Sequence, residues 1–171
     1  MPVEITPLSA TLGAEISGIN VGKPVTDQDF GVILEAWHKH QIILFRNQVL
    51  TEEIQQVKFA RRFGDLAEVH VAEFRGVHPA VMYIGTRDPG GIGPGALPYG
   101  EMQFHTDQCY LEKPAMGTFL YAIEVPSTGG DTLFLNLYKA YEALPAATPA
   151  GPAGRAIEAR VDELLPPECR N

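Results

Sequence analysis

"GEMQFHTDQCY", Gly100–Tyr110, sets an imidazole and a carboxylate two residues apart in a stretch that reads as extended chain. Side chains at i and i+2 of a strand leave the same face. His105 and Asp107 are therefore expected to aim at one point, with Thr106 turned away. One imidazole and one carboxylate are two corners of a two-histidine, one-carboxylate metal site. That site suits non-haem Fe(II) and leaves coordination positions open for oxygen chemistry. The third corner has to be a histidine from elsewhere. An isolated H-x-D pair is more often a plain hydrogen-bonded His–Asp pair on a half-buried strand. Here the surroundings favour the sharper reading: Phe104 and Tyr110 offer apolar walls, and a Gly/Pro-rich segment leads in.

That leading segment, Thr86–Gly100, carries five Gly and three Pro and cannot be a regular element. It reads as a long loop and a candidate lid. Before it, "AVMYIG" (Ala80–Gly85) is a strand candidate. After it, "MQFHTDQCY", "GTFLYAIEV" and "DTLFLNL" are all strand-like, with "PSTGGD" (Pro126–Asp131) as a turn between the last two. Phe119, Tyr121, Ile123 and Val125 fall on one face, and Asn136 is placed to cap a short helix. Nearer the N-terminus, Thr26 and Asp29 form a capping-box-like start to a helix whose Phe30, Ile33, Leu34 and Trp37 share a face. "QIILFR" (Gln41–Arg46) reads as a short buried strand. A second helix is expected from a Thr51 cap, with Ile54, Val57 and Ala60 along one side, Phe59 and Phe63 widening it, and Gly64 as its stop.

The chain has 171 residues, 45% of them hydrophobic, enough for one domain with a core. A formal net charge of −8 argues against nucleic acid or an anionic membrane as the main partner. The two cysteines, Cys109 and Cys169, make no disulfide framework. The first residues lack the basic and apolar regions of a signal peptide, and no run has the ~18 apolar residues of a membrane helix. A cytoplasmic location is the expectation.

Several stretches, taken in order, resemble the taurine dioxygenase (TauD/TfdA) family of Fe(II)- and 2-oxoglutarate-dependent dioxygenases. They are "ITPLSATLGAEISGINV", "HKHQIILFRNQVLT", "FARRFGDL", "FHTDQCYLEKPA" and "EVPSTGGDTLFLNLYKAYEALP", from Ile5 to Pro145. The resemblance implies a mainly β fold with flanking helices, a double-stranded β-helix (jelly roll, clavaminate synthase-like) that is incomplete here. It implies Fe(II) as cofactor, 2-oxoglutarate as cosubstrate, and O2 with a small organic anion, a sulfonate or carboxylate, as the other reactants. His105 and Asp107 match the family's iron ligands. Thr132, which closes "STGGDT", matches the residue that hydrogen-bonds the distal carboxylate of 2-oxoglutarate; without the resemblance it would be a β-branched residue opening a strand. His70, after "FGDLAEV", lies near a substrate-contacting histidine of the family, and whether it faces pocket or solvent stays open.

The family's other iron ligand is a downstream His followed by an Arg, whereas no His follows His105. Residues 1–145 therefore read as the N-terminal portion of such a domain. Residues 146–171 read as an atypical Ala/Pro/Gly/Arg-rich tail, expected to come from a reading-frame change or an early end. Open strand edges invite association, so a homo-oligomer is expected. Two alternatives stay open. One is a non-catalytic fragment acting only through association. The other is a cupin-like metal protein that completes its site with His70 or another chain.

Overall fold

Thr26 opens the best-formed helix. Its hydroxyl accepts from the Asp29 amide at 3.1 Å and donates to the Asp29 carboxylate at 2.8 Å, so the first turn has its orphan donor satisfied. This helix, α1 (Asp27–His40), has acidic residues in its first turn and His38, Lys39 and His40 in its last, which complements the helix dipole. Gln41 ends it in the left-handed conformation, φ 62°, with its amide on the Trp37 carbonyl. The computed structural model describes residues 2–69, 72–85, 103–109 and 111–145.

Ahead of α1 lie two strands the sequence reading did not single out, β1 (Glu4–Pro7) and β2 (Ala14–Ser17), paired antiparallel. Alternation was the available signal: Ala14 and Ile16 are buried while Ser17 is exposed. Gly13, at φ +85°, turns the chain into β2. The expected strand at 41–46 shrinks to β3 (Ile43–Leu44), half-buried and parallel to β2 in a sheet of order β1-β2-β3. The second helix, α2 (Glu53–Ala60), begins one residue later than a Thr51 cap would give. Glu52 is the cap residue, and the Gln55 carboxamide oxygen reaches back to the amides of Thr51 (2.8 Å) and Glu52 (3.1 Å). Val57 and Phe59 are its buried residues, whereas Ile54 is exposed.

The core lies between the sheet and the two helices, around Ile16, Val21, Phe30, Ile33, Ala36 and Phe59. Phe59 is its hub, with edge-on rings from Phe45, Phe63 and Phe119 at 5.6, 5.6 and 5.5 Å. Arg62 closes one end, over the Phe30 ring at 4.3 Å and paired with Asp27 at 2.7 Å.

The downstream half is built differently. None of 103–109, 117–125 and 131–136 forms a strand, contrary to the expectation, and "AVMYIG" offers only an isolated Met82–Arg75 bridge. A strand exists only when a neighbour takes its amides and carbonyls, and no described neighbour runs beside these segments. Helical residues thus outnumber strand residues among the described ones, where a mainly β chain was expected. The short helix α3 (Leu137–Glu142) does form, and Asn136 caps it as read, accepting from the Lys139 amide at 3.1 Å. The Asn136 side-chain Nδ2 also donates to the Thr11 carbonyl at 2.6 Å, tying α3 to the β1–β2 turn.

Candidate metal centre

The His-x-Asp segment stands on a backbone fixed at three places. Gly117 lies so close to Trp37 that a Cβ there would sit 2.8 Å from the indole ring. Phe119 inserts its ring against Phe59, and the Gln56 side chain donates to the Phe119 carbonyl at 3.2 Å. The Tyr121 hydroxyl accepts from the Leu50 amide at 3.2 Å. Beyond Tyr121 the anchoring stops: Ile123 and Val125 are 73% and 71% exposed, so only half of the apolar face expected along 119–125 is buried.

His105 and Asp107 come together although their segment is not a strand. The chain turns at 107–109, where Gln108 takes φ 55° and the Leu111 amide reaches the Gln108 carbonyl at 2.9 Å. His105 Nε2 lies 3.3 Å from Asp107 Oδ1, and both side chains are 50% exposed. The other imidazole nitrogen, Nδ1, is 2.9 Å from the Gln103 carbonyl oxygen. A carbonyl only accepts, so Nδ1 carries a proton and Nε2 is the nitrogen turned to the carboxylate. The second carboxylate oxygen, Oδ2, accepts from the Thr118 hydroxyl at 2.5 Å. One nitrogen and one oxygen are thus left facing each other, a pair that a cation between them satisfies. Two donors about 2.1 Å from one ion and at right angles stand about 3 Å apart, so the observed spacing fits adjacent positions on a metal. Among the described residues no group of three His, Cys, Asp or Glu is placed to hold a metal, so these two are the donors on hand.

The other residues singled out in the sequence fall elsewhere. Thr132 lines an open groove of about 530 Å³ with Ser9, Thr11, Leu12, Asn136 and Lys139, and neither His105 nor Asp107 borders it. His70, the Thr86–Gly100 loop and the tail from residue 146 lie outside the described residues. Cys109 is an exposed free thiol. Sequence reading missed Thr118, the lone threonine in the apolar run "GTFLYAIEV", which was its signal. It also missed Glu53. That carboxylate accepts from the amides of His78 (2.7 Å) and Val77 (3.1 Å) and fastens the 72–83 segment to the first turn of α2. Burial pushes Glu53 up, but those two amides, the Tyr83 hydroxyl and the nearby His78 outweigh it, so the carboxyl is held below its ordinary value. The Tyr83 phenol is raised in turn, first by its hydrogen bond to Glu53.

A family model for the taurine catabolism dioxygenase TauD, TfdA family matches residues 4–154. The chain belongs to this family. Its TauD/TfdA relatives include an (S)-phenoxypropionate/alpha-ketoglutarate-dioxygenase of Delftia acidovorans, 31% identical over 157 residues, covering 86% of this chain and 51% of the relative. An enzyme of the same name from Sphingobium herbicidovorans is 35% identical over 141 residues, covering 82% and 47%. The chain therefore spans about half the length of the curated relatives it matches. It is similar in fold to part of a Burkholderia xenovorans crystal structure assigned as an alpha-ketoglutarate dependent 2,4-D dioxygenase. The TM-score is 0.62 at 24% identity, over 84% of this chain and 47% of the other. No helix among the described residues is long and apolar enough to cross a membrane.

Proposed function

We propose that this TauD/TfdA chain carries the two-ligand part of an Fe(II)- and 2-oxoglutarate-dependent dioxygenase that hydroxylates a small organic anion. The observation that carries the reading is the approach of His105 Nε2 and Asp107 Oδ1 to 3.3 Å, with Nδ1 already engaged by the Gln103 carbonyl. A metal-binding imidazole commonly spends its other nitrogen on such a carbonyl, which fixes its tautomer and raises its basicity. Ferrous iron held there with 2-oxoglutarate supplies the capacity to reduce O2 while the oxoacid loses CO2. The chain's own residues contribute position: His105 and Asp107 hold two adjacent sites.

Thr132 is proposed to hold the distal carboxylate of 2-oxoglutarate, with support from its place at the end of "STGGDT". The groove it lines has to close toward His105 for that role. His70 is proposed to meet the substrate, on its position after "FGDLAEV". Two relatives act on (S)-phenoxypropionate by name, which favours an aryloxy carboxylate over a sulfonate. A jelly roll is the proposed complete fold, in which the apolar segments 117–125 and 131–135 gain strand neighbours. Their exposed side chains also support association into a homo-oligomer. The test is an anaerobic Fe(II) titration by calorimetry with and without 2-oxoglutarate. Coupled binding at one centre predicts that the oxoacid tightens Fe(II) binding, and that Asp107→Ala removes the gain. Fe(II) binding unchanged by 2-oxoglutarate would overturn the reading.

A further inference from the structure

We infer that Thr118 is a positioning residue for the Asp107 carboxylate; this rests on the reading of Asp107 as a metal ligand. The Thr118 hydroxyl donates to Asp107 Oδ2 at 2.5 Å, and Oδ1 is the oxygen left facing His105 Nε2. A carboxylate free to rotate offers either oxygen, or both, to a metal. A donor on Oδ2 selects the single-oxygen mode and aims Oδ1.

What makes Thr118 suited to this is the rigidity of its own backbone. Its neighbours on both sides are pinned, Gly117 against Trp37 and Phe119 in the aromatic cluster around Phe59. Phe119 packs its ring against Phe59 in the core, while the Thr118 hydroxyl reaches out to the His-x-Asp turn. Branching at Cβ restricts its χ1 further. By contrast the turn around Asp107 is held by its own short-range bonds, Cys109 to Thr106 and Leu111 to Gln108. Among the described residues, the Thr118–Asp107 bond is the one hydrogen bond that leaves 103–109 for the body of the protein. The path from hydrophobic core to proposed metal ligand therefore runs Phe59, Phe119, Thr118, Asp107.

Mn(II) serves as the probe, with free ion read by electron paramagnetic resonance in the full chain. The variants are Thr118→Val, which keeps the shape and removes the donor, Thr118→Ser, which keeps the donor, and Asp107→Ala. Thermal midpoints are recorded alongside. Thr118→Val should weaken Mn(II) binding about tenfold or more, the usual effect of removing a ligand's supporting partner. Its thermal midpoint should stay close to the parent's, and Thr118→Ser should bind like the parent. Thr118→Val binding Mn(II) like the parent, while Asp107→Ala does not, would overturn the positioning role and leave the ligand assignment standing. Equal weakening in the Val and Ser variants would also overturn it, because the site would then respond to any change of side chain at 118 and not to loss of the donor. Parent-like binding by Asp107→Ala, or no binding by the parent, would overturn the ligand reading and this inference with it.

Discussion

Residues 2–64 and 103–135 are comparably apolar, yet one is folded around a core and the other is strapped to it. In the first, strands pair, both long helices have satisfied first turns, and Ile16 and Ile33 are almost wholly buried. In the second, Gly117, Phe119 and Tyr121 make the attachment, while Leu120, Ile123, Val125, Leu133 and Phe134 face solvent. The contrast teaches that apolar residues alone do not make a strand. A strand also needs an adjacent chain for its amides and carbonyls, and the pairing is worth having only when a face is covered too. It also locates the proposed metal ligands on the strapped part, at least ten residues ahead of its anchors Gly117, Phe119 and Tyr121.

The sharpest way to break the contrast is to remove the hub. Phe59→Ala empties the centre of the aromatic cluster and should cost about 3–5 kcal/mol, as large buried aromatics do. Urea unfolding should show both regions lost together. A late transition for 103–135 alone would mean that this part folds independently. Next in size is Gly117→Val. Its Cβ would press on the indole, an overpacking cost of about 1–3 kcal/mol. Trp37 is the single tryptophan, so its fluorescence should report the displacement directly.

Glu53→Gln tests a clamp that belongs to the folded side of the comparison. The folded carboxyl is held below its ordinary 4.5, so its contribution to stability is present above that value and fades as pH falls through the lowered one. The parent should therefore exceed Glu53→Gln in stability at pH 7, and the difference should shrink on acidification toward pH 3, followed by chemical denaturation. A constant difference across that range would remove the charge from the explanation. Smallest of all, Ile123→Thr should change stability by no more than about 0.5 kcal/mol, because the side chain is already in water. A loss of several times that size, measured in the same way, would show that Ile123 is covered in solution.

Legibility followed the range of the interactions. Thr26 and Asn136 were readable as caps because a cap is settled within four residues, and both accept the amide three residues on. The helical face of Phe30 and Ile33 was readable for the same reason. The cap of α2 slipped by one residue because Gln55 could serve two amides at once, a choice that only the folded geometry resolves. The strands at 117–125 and 131–137 were expected from composition, but pairing depends on distant chain. At the candidate site, the convergence of His105 and Asp107 was expected from strand geometry and arises instead from a turn; its supporting partner Thr118, eleven residues on, could be seen only in three dimensions.

The central claim is that His105 and Asp107 face one cation. The most direct measurement is side-chain NMR of the five histidines during substoichiometric Mn(II) addition, in the parent and in Asp107→Ala. The account predicts that the His105 imidazole broadens first, and that this selectivity disappears in the variant. Broadening that begins at His38 or His40, or that treats His105 alike with and without the carboxylate, would contradict it.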